Sequence, residues 1–415
     1  MSDFSATDHA LMARALRLAA RGLFTTQPNP RVGCVIAHGD EIIGEGWHQR
    51  AGEAHAEVFA LRAAGRRARG ATAYVTLEPC SHYGRTPPCA DALIEAGIAR
   101  VVFASGDPNP KVAGTGIRRM REAGIDVAGG LMRDAARELN RGFFSRFERG
   151  RPWVRVKLAM SLDGRTALAN GESKWITGEP ARADVQRWRA RSSAILTGAG
   201  TARADDPRLT VRLDALEPLS LRERGRSEGS AERVRRDESE PSPAPSGSAS
   251  RSASRRLFPA GEGRSFVPPW RVVLDARLDA LQTDAHLLDG NTPTLVLHAP
   301  GAKPEDDRYR RTELVEVMLD ARGRIDLATV LRLLAERQIN ELQVEAGPVL
   351  CGALFDQDLV DELLLYVAPT LLGDTARPLL NLTPLAWMSE RHDWRIIDRR
   401  MIGADQRLLL RPAAL

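Results

Sequence analysis

Residues 52–58 read GEAHAEV and residues 76–89 read TLEPCSHYGRTPPC, and these two stretches decide how the first part of the chain folds. His55 stands in the first stretch, and Cys80 and Cys89 stand in the second. One histidine and two thiolates leave a position of a tetrahedral zinc ion open for water, which a catalytic site needs and a closed structural site lacks. The pattern therefore predicts a catalytic zinc site with these three ligands.

A glutamate, Glu57, follows the histidine by two residues and opens a run with helical periodicity, AEVFALRAAG. From there its carboxylate can accept a proton from the metal-activated water without binding the metal, and can pass it to a leaving ammonia. A lone histidine or buried cysteine is more often an ordinary core or turn residue. The order H-x-E, P-C and a second cysteine nevertheless favours a zinc-dependent deaminase.

The loop between the two cysteines, SHYGRTPP, has eight residues where such ligands are usually separated by two. It carries His82 and Arg85 toward the mouth of the predicted site, where they can hold a phosphate or a ring substituent. Its two prolines equally indicate a loop that is only stiffened. The residues leave both explanations open.

Strand-like and helix-like segments alternate around these motifs, which is typical of an α/β fold. FERGRP, residues 147–152, follows a helix-like stretch and precedes a new strand, so it predicts a domain boundary. We expect residues 1–147 to form a three-layer α/β sandwich. The predicted strands are CVIAHGDEIIGEGWH, ATAYVTLEP and RVVFASGD, and the helices are DHALMARALRLAARG, HAEVFALRAAG, CADALIEAG, GIRRMREAG and MRDAARELNRGFFSRF.

Residues 148–415 repeat this alternation and predict a second α/β domain. Its strands are RPWVRVKLAM, AILTGAGTARADDP, RVVLDARL, TLVLHAP and ELQVEAGP, and DLATVLRLLAERQ is a helix. Residues 214–265 interrupt this domain with serine, proline, glycine and charges of both signs, which cannot bury enough apolar area to become ordered. An RNA-binding or phosphorylated arm is the alternative, but the nearly balanced charges favour a disordered insertion.

Composition excludes several classes of protein. The 415 residues include 43% hydrophobic and 27% charged side chains, which rules out wholesale disorder and fits two globular domains. Four cysteines do not make a disulfide scaffold, and Cys34 reads as a small buried residue. No apolar run reaches the ~20 residues of a spanning helix, so we expect a cytoplasmic protein without a membrane partner. The net charge of +5 is not clustered, so we expect no nucleic-acid partner.

The motifs together resemble the bifunctional deaminase/reductase family of riboflavin biosynthesis, over nearly all of the chain except the insertion. The resemblance implies zinc at His55, Cys80 and Cys89, Glu57 as the proton carrier, and Asn29 in the same pocket, although Asn29 between two prolines also suits a turn. The family shares the long cysteine spacing. The resemblance lies in TTQPNPRVGCVI, GEAHAEV, TLEPCSHYGRTPPC, DPNPKVAGTGI, KLAMSLDGRTA, ESKWIT, AILTGAGTARADDPRLTVR and VEAGPVLCGAL.

GPVLCGAL, which follows the apolar strand ELQVEA, is by itself only a weak indication of a phosphate-binding turn, since glycine after a strand is often just a turn. The resemblance implies that this turn contacts NADPH in a C-terminal domain like dihydrofolate reductase. The implied cofactor contacts are Ala159, Trp175, Thr201, Asp205, Gly347, Pro348, Val349, Leu350, Cys351, Gly352 and Ala353. For Asp205 in ADDP, a cap or turn role is the ordinary alternative.

On the substrate side the resemblance implies Ser173, Arg189, Leu209, Arg212 and Glu345. Arginine forks suit the phosphate of a phosphoribosyl group, but Arg189 lies in the arginine-rich run RADVQRWRARSS, which also suits a solvated helix face. A lysine is unusual among the apolar residues of the predicted strand RPWVRVKLAM. The ammonium group of Lys157 is suited to polarise the group that receives the hydride.

The resemblance therefore implies an enzyme that deaminates a phosphoribosylaminopyrimidine with zinc and then reduces its ribosyl group with NADPH, as a homo-oligomer. A nucleic-acid base deaminase with a fused accessory domain is the first alternative, and would need a basic channel beside the pocket. A catalytically silent binding module is the second, although such a module has no need of Glu57. In a third, only one half is active.

Overall fold

The computed structural model describes residues 4–81, 88–110, 112–212 and 266–413. The predicted insertion at 214–265 lies outside these residues, as do His82 and Arg85. Two sheets dominate the described chain, one of five strands and one of nine. None of its described helices combines the length and the apolar character needed to cross a membrane.

The five-stranded sheet and six helices are formed by the first part of the chain. The sheet has the order β2-β1-β3-β4-β5, in which β1 is antiparallel to both neighbours and β3, β4 and β5 are parallel. The elements are α1 (Ala6–Ala20), β1 (Gly33–His38), β2 (Glu41–Trp47), α2 (Ala56–Ala64), β3 (Thr72–Leu77), α3 (Cys89–Glu95), β4 (Arg100–Ser105), α4 (Thr115–Glu122), β5 (Asp126–Gly129), α5 (Arg133–Leu139) and α6 (Arg141–Arg149).

Helices cover both faces of this sheet. Apolar side chains of α2, α3 and α4, such as Leu93 and Met120, are buried against one face. Those of α1 and α5, such as Met12 and Ala136, are buried against the other face. The predicted three-layer α/β sandwich is therefore confirmed.

Two glycines in β2 bring α2 unusually close to the sheet. A Cβ on Gly44 would lie 2.3 Å from the carbonyl oxygen of Ala60, and one on Gly46 would lie 2.4 Å from that of Ala56. Any side chain at either position would push the helix away. The glycines of EIIGEGW thus hold the start of α2, where His55 and Glu57 lie, against the sheet.

The nine-stranded sheet and four helices are formed by the second part. Its order is β11-β10-β9-β8-β12-β6-β13-β16-β15, parallel from β11 to β13 and antiparallel across β16 and β15. The elements are β6 (Trp153–Ser161), β7 (Arg165–Ala167), α7 (Glu179–Arg191), β8 (Ala194–Gly198), α8 (Ala199–Asp205), β9 (Trp270–Leu274), β10 (Thr294–His298), β11 (Glu313–Glu316), α9 (Leu327–Glu336), β12 (Glu341–Val344), α10 (Pro348–Asp356), β13 (Glu362–Ala368), β14 (Arg377–Pro378), β15 (Trp394–Ile402) and β16 (Asp405–Pro412).

This second sheet also has helices on both faces. Leu331 of α9 and Phe355 of α10 pack into the largest apolar cluster, while Val185 of α7 and Ala202 of α8 pack on the opposite side. β7 and β14 form a separate two-stranded ribbon. The second α/β domain is therefore present as predicted.

Three predicted elements differ in detail from the structure. CVIAHGDEIIGEGWH forms two antiparallel strands, β1 and β2, because the chain turns at residues 39–40. AILTGAGTARADDP is a strand only as far as Gly198, and the rest forms α8. The stretch MRDAARELNRGFFSRF forms two helices that meet at Asn140, and the second, α6, continues past the expected boundary at 147 to Arg149.

Candidate active sites

The three predicted zinc ligands come together where two helices begin beside the end of a strand. His55 is the N-cap residue of α2, and Cys89 is the first residue of α3. Cys80 follows β3 by three residues, and its sulfur accepts a hydrogen bond from the backbone N–H of Cys89 at 3.4 Å. The positive end of the α3 dipole therefore faces the sulfur of Cys80 and favours its thiolate, whereas the hydrogen bond to Cys80 raises the pKa of the Cys89 thiol.

The distances within this cluster fit a zinc ion. Nδ1 of His55 lies 3.2 Å from the sulfur of Cys89 and 3.5 Å from that of Cys80, and the three ligand atoms lie within 4.8 Å of one another. Zinc bonds of about 2.0–2.1 Å to nitrogen and about 2.3 Å to sulfur place tetrahedral ligands about 3.5 Å apart. Hydrogen bonds from Cys89 and His55 lower the pKa of the Cys80 thiol to about 4. The donor set thus suits a divalent ion that prefers nitrogen and thiolate ligands.

Glu57 lies in the first turn of α2 and is only 3% exposed. Its Oε2 is buried without a hydrogen-bond partner among the described residues, and burial raises the pKa of its carboxyl to about 7. An unpartnered buried carboxylate oxygen beside three metal-ligand atoms is suited to hold and release a proton. The structure thus brings Glu57 to the predicted ligands.

Asn29 contacts His48, a histidine beside the same site that the sequence motifs did not indicate. The side-chain amide of Asn29 lies 3.1 Å from Nε2 of His48, whose Nδ1 lies 3.1 Å from the carbonyl oxygen of Ala54. The ring of His48 packs edge-on against that of His55, with centroids 5.4 Å apart. In the sequence His48 is a single histidine after the strand EIIGEGW, which does not distinguish a site residue from a core histidine.

A second candidate site is a cavity of about 1520 Å³ beside the nine-stranded sheet, and most of the predicted cofactor and substrate residues line it. The start of α10 lines this cavity. A Cβ added to Gly347 there would lie 3.7 Å from the hydroxyl of Thr201, which is an ordinary contact distance. Because Gly347 has no side chain, the backbone N–H groups at this helix start can bind a pyrophosphate. The residues present therefore fit a dinucleotide cofactor, which contains one. The predicted residues that line the cavity are Lys157, Ala159, Ser173, Trp175, Arg189, Thr201, Asp205, Leu209, Arg212, Glu345, Gly347, Pro348, Val349, Leu350 and Ala353.

Charged side chains cluster on the sheet side of this cavity. Arg189 donates two hydrogen bonds of 2.7 Å to Glu345 and a third, of 2.9 Å, to the carbonyl oxygen of Thr210. Burial alone would raise the pKa of Glu345, but Arg189 and Lys157 outweigh it and lower that pKa to about 2. Burial lowers the pKa of Lys157 from its ordinary value. Arg189 is therefore not on a solvated face, because its guanidinium is held by Glu345.

Two predicted cofactor residues do not line the cavity. Cys351 is fully buried in the apolar core, with its thiol 3.3 Å from the carbonyl oxygen of Ala346. Gly352 faces the backbone of Asn381, whose oxygen would lie 2.0 Å from an added Cβ. Five other residues of GPVLCGAL line the cavity, so these two lie on the sides of the helix that are turned away from it.

Other residues that line the cavity were missed because no local pattern singled them out, and Arg182 and Gln186 among them lie on α7. Arg182 stacks over the ring of Trp175, with its guanidinium carbon 4.6 Å from the centroid. Gln186 accepts a hydrogen bond of 3.0 Å from the backbone N–H of Arg212. The remaining missed lining residues include Ala276, Arg208, Arg324, Arg377 and Asn381. Chain folding brings them together from positions more than 100 residues apart, which no local pattern indicates.

Comparisons with known proteins assign each half of the chain to a family. Residues 5–105 match the cytidine and deoxycytidylate deaminase zinc-binding region, which includes the His55 cluster. Residues 152–398 match the RibD C-terminal domain, which includes the start of α10.

Similar proteins match the chain from end to end. The riboflavin biosynthesis protein RibD of Escherichia coli is 46% identical over 404 residues, covering 96% of this chain and 97% of that protein. The RibD of Haemophilus influenzae is 43% identical, with 99% of both chains covered. A solved RibD structure from Acinetobacter baumannii has a TM-score of 0.81 and 41% identity, covering 98% of this chain and 99% of that one.

A further similar solved structure is that of a diaminohydroxyphosphoribosylaminopyrimidine deaminase/5-amino-6-(5-phosphoribosylamino)uracil reductase from Thermotoga maritima. It is 29% identical, with a TM-score of 0.75 and coverage of 98% and 99% of the two chains. Together with the family models, these matches confirm the resemblance seen in the motifs. The chain therefore belongs to the RibD family of riboflavin biosynthesis proteins and is a bifunctional enzyme that joins a zinc-dependent deaminase domain to an NADPH-dependent reductase domain.

Proposed function

We propose that the deaminase domain releases ammonia from diaminohydroxyphosphoribosylaminopyrimidine, and that the reductase domain then reduces the ribosyl side chain of 5-amino-6-(5-phosphoribosylamino)uracil to ribityl. The Thermotoga maritima neighbour is described by these two substrates. The observation that carries the proposal is the convergence of His55, Cys80 and Cys89 with the buried carboxylate of Glu57. We assign residues 1–147 to the deaminase domain and residues 148–415 to the reductase domain.

In the deaminase site, His55, Cys80 and Cys89 would hold zinc, which supplies a water whose pKa is lowered toward ~7. Glu57 takes the proton of that water at its free Oε2 and delivers it to the departing amino group. The ring of His48 packs against that of His55 and holds Asn29 beside it, where the amide of Asn29 can orient the substrate ring by a hydrogen bond. The buried position of Glu57 keeps bulk water from competing for this proton.

In the reductase cavity, the start of α10 would hold NADPH, which supplies a hydride. Reduction there would add the hydride to the ribosyl carbon attached to nitrogen, with cleavage of the bond from that carbon to the ring oxygen and delivery of a proton to that oxygen. Lys157 is placed to give this proton, since its ammonium lies on β6 in the same cavity as Glu345. Glu345 and Arg189 hold each other in position, and the exposed guanidinium of Arg212 is free to meet the phosphate.

The test is to supply the purified, zinc-loaded protein with the phosphoribosylaminopyrimidine and NADPH, and to follow ammonia release and NADPH oxidation together. We expect ammonia to appear first and the cofactor to be consumed after it. Glu57→Gln should lower the rate of ammonia release roughly 10²- to 10⁴-fold, because it removes the proton carrier. Reduction by this variant should return when the deaminated intermediate is supplied.

Zinc content measured on the same samples is the control, since Glu57 is not proposed as a ligand and Glu57→Gln should keep one zinc per chain. Zinc-loaded wild-type protein that releases no ammonia from this substrate would overturn the proposal. In that case RNA is the next substrate to assay. Reduction that precedes deamination would overturn the proposed order.

We also propose that the protein is a homo-oligomer that uses the outer edge of the nine-stranded sheet. β15 is the last strand of that sheet, and its other edge is unpaired among the described residues. Large apolar side chains on and beside it are exposed, including Trp387 (72%), Met388 (77%), Ile396 (55%) and Met401 (62%). Such an edge is usually covered by another chain. Sedimentation should show a smaller species for Ile396→Asp/Met401→Asp and no change for Ile42→Asp.

A further inference from the structure

The loop of residues 26–31, TQPNPR, carries Asn29 into the deaminase site, yet Gln27, Pro28 and Arg31 are all hydrogen-bonded to side chains of the other domain. We infer that the reductase domain positions this loop, so that Gln27 and Asn340 are positioning residues for deamination although neither touches the substrate. The inference rests on the proposed role of Asn29.

On one side of Asn29, the side chain of Gln27 is bound wholly by the reductase domain. Its Oε1 accepts hydrogen bonds from the hydroxyl of Ser193 at 2.7 Å and from the amide of Asn340 at 3.2 Å. Its Nε2 donates to the carbonyl oxygen of Arg191 at 3.1 Å. The amide of Asn340 also donates to the carbonyl oxygen of Pro28 at 2.8 Å. Gln27 is only 8% exposed, so these bonds are shielded from water.

On the other side of Asn29, the buried side chain of Arg31 is shared by both domains. It donates to Glu341 of the reductase domain at 2.8 Å and to the carbonyl oxygen of Leu139 at 2.7 Å. The side chain of Asn140 binds both the N–H and the carbonyl oxygen of Arg31, at 2.8 Å and 2.9 Å. Asn29 is therefore held between two anchors, and Asn340 and Glu341 at the start of β12 supply part of each.

A small polar cavity of about 10 Å³ lies between these anchors and is lined by Gln27, Asn29, Arg31, Asn340 and other residues of both domains. Nε of Arg31 and Oδ1 of Asn340 are buried there without a hydrogen-bond partner among the described residues. A space of this size with several polar groups can accommodate one water molecule. Such a water would join Asn29 to both domains.

The contact chain then reaches the metal centre in two steps. Asn29 lies 3.1 Å from His48, and the ring of His48 packs against His55. A side chain that orients a substrate must be held to within about 0.5 Å, and loops achieve this only when other groups pin them. The reductase domain therefore contributes to deamination by limiting where Asn29 can lie.

The decisive variant is Asn340→Ala in the full-length, zinc-loaded protein. It removes the donors to Gln27 and Pro28, and Asn340 does not line the reductase cavity. We expect kcat/KM for ammonia release to fall about tenfold, mainly through KM, because Asn29 is no longer held in place. Zinc content should stay at one per chain. The reduction rate with the deaminated intermediate should change by less than about twofold.

Gln27→Met is the second variant, and it keeps the length of the side chain while removing all three hydrogen bonds. It should reproduce the KM effect from the deaminase side, which keeps the inference testable if Asn340→Ala folds poorly. Glu138→Gln is the matched control, because it breaks the interdomain ion pair with Arg411 without touching the loop. It should leave the KM of deamination unchanged.

A double-variant comparison separates positioning from a general structural effect. In an Asn29→Ala background, Asn340→Ala should cause no further loss of kcat/KM, since both act through the same side chain. A further tenfold loss in that background, or wild-type KM in both Asn340→Ala and Gln27→Met, would overturn the inference while leaving the proposed function intact. Failure of the wild-type protein to deaminate the substrate would instead count against the proposed function.

Discussion

At the scale of single residues, Lys157 is the feature of the reductase site with the clearest chemical consequence. It is one of only four lysines in the chain and lies on a central strand, β6, with its ammonium 5.9 Å from the ring centroid of Tyr366. Burial opposes its positive charge, and the nearby carboxylate of Glu345 supports it. Because the effect of burial is the larger of the two, Lys157 can give up a proton more readily than an exposed lysine.

We predict that Lys157→Met lowers the reduction rate roughly 10²- to 10⁴-fold, as expected for loss of a proton donor. In the wild type, kcat/KM for reduction should fall as pH rises, because the ammonium form is lost. Its midpoint should lie below 10.5, the ordinary pKa of lysine, because burial lowers the pKa of Lys157. Stopped-flow NADPH oxidation with the deaminated intermediate measures both effects. Lys303→Met, which lies outside the cavity, should match the wild type throughout.

At the scale of elements, the start of α10 combines two glycines with different neighbours. Gly347 is the N-cap residue and faces the cavity, where an added Cβ would meet only the hydroxyl of Thr201, at 3.7 Å. Gly352 lies inside the helix, where the backbone of Asn381 leaves no room for a side chain. The first glycine keeps space for a ligand, and the second keeps space for the chain itself.

We therefore predict opposite outcomes for two alanine substitutions. Gly347→Ala should raise the KM for NADPH about tenfold, equivalent to about 1.4 kcal/mol, without changing the free energy of unfolding. Gly352→Ala should lower that free energy by about 1–3 kcal/mol, because its Cβ would overlap the carbonyl oxygen of Asn381. Cofactor titration and urea unfolding of both variants provide the measurements. Equal KM values for Gly347→Ala and the wild type would contradict the placement of the cofactor at this helix.

At the scale of the whole molecule, the two domains are joined by a buried cluster of arginines and glutamates. Glu362 binds Arg141 of the first domain at 2.5 Å and Arg155 of the second at 2.6 Å, and its side chain is fully buried. Glu341 binds Arg31 and Arg155 in the same region. Burial alone would raise the pKa of Glu362, but Arg141 and Arg155 outweigh it and lower that pKa to about 2.

This charge cluster predicts how stability depends on pH. A carboxyl whose pKa falls from 4.5 to about 2 on folding stabilises the protein fully above pH 4.5, and loses that contribution as pH falls toward 2. Glu362→Gln should lower the free energy of unfolding at pH 7 by about 3 kcal/mol, because it removes a buried carboxylate from Arg141 and Arg155, which keep only Glu138 and Glu341 as partners among the described residues. The difference from wild type should shrink below pH 4.5. Urea unfolding at pH 7, 5 and 3.5 measures this difference. Glu313→Gln is the control, because Glu313 belongs to a partly exposed ion pair with Arg337, and its loss should change the free energy of unfolding little.

Much of the fold and of the metal centre could be predicted from local patterns. Alternating strands and helices indicated two α/β domains, and H-x-E with P-C and a second cysteine indicated the ligands and Glu57, because metal coordination restricts both residue type and order. The strand boundaries within CVIAHGDEIIGEGWH and AILTGAGTARADDP were wrong. The apolar pattern continues across the turn in the first and into the helix in the second, and periodicity alone does not mark where it changes.

The sequence by itself thus determined the family, the domain types and the candidate side chains for the chemistry. Only the tertiary structure decided that Arg189 is held by Glu345, that His48 stands between Asn29 and His55, and that Gln27 is bound by Ser193 and Asn340. The physical reason is separation along the chain. Gln27 and Asn340 lie 313 residues apart, so their contact depends on how two folded domains dock, and no local preference of the backbone records it.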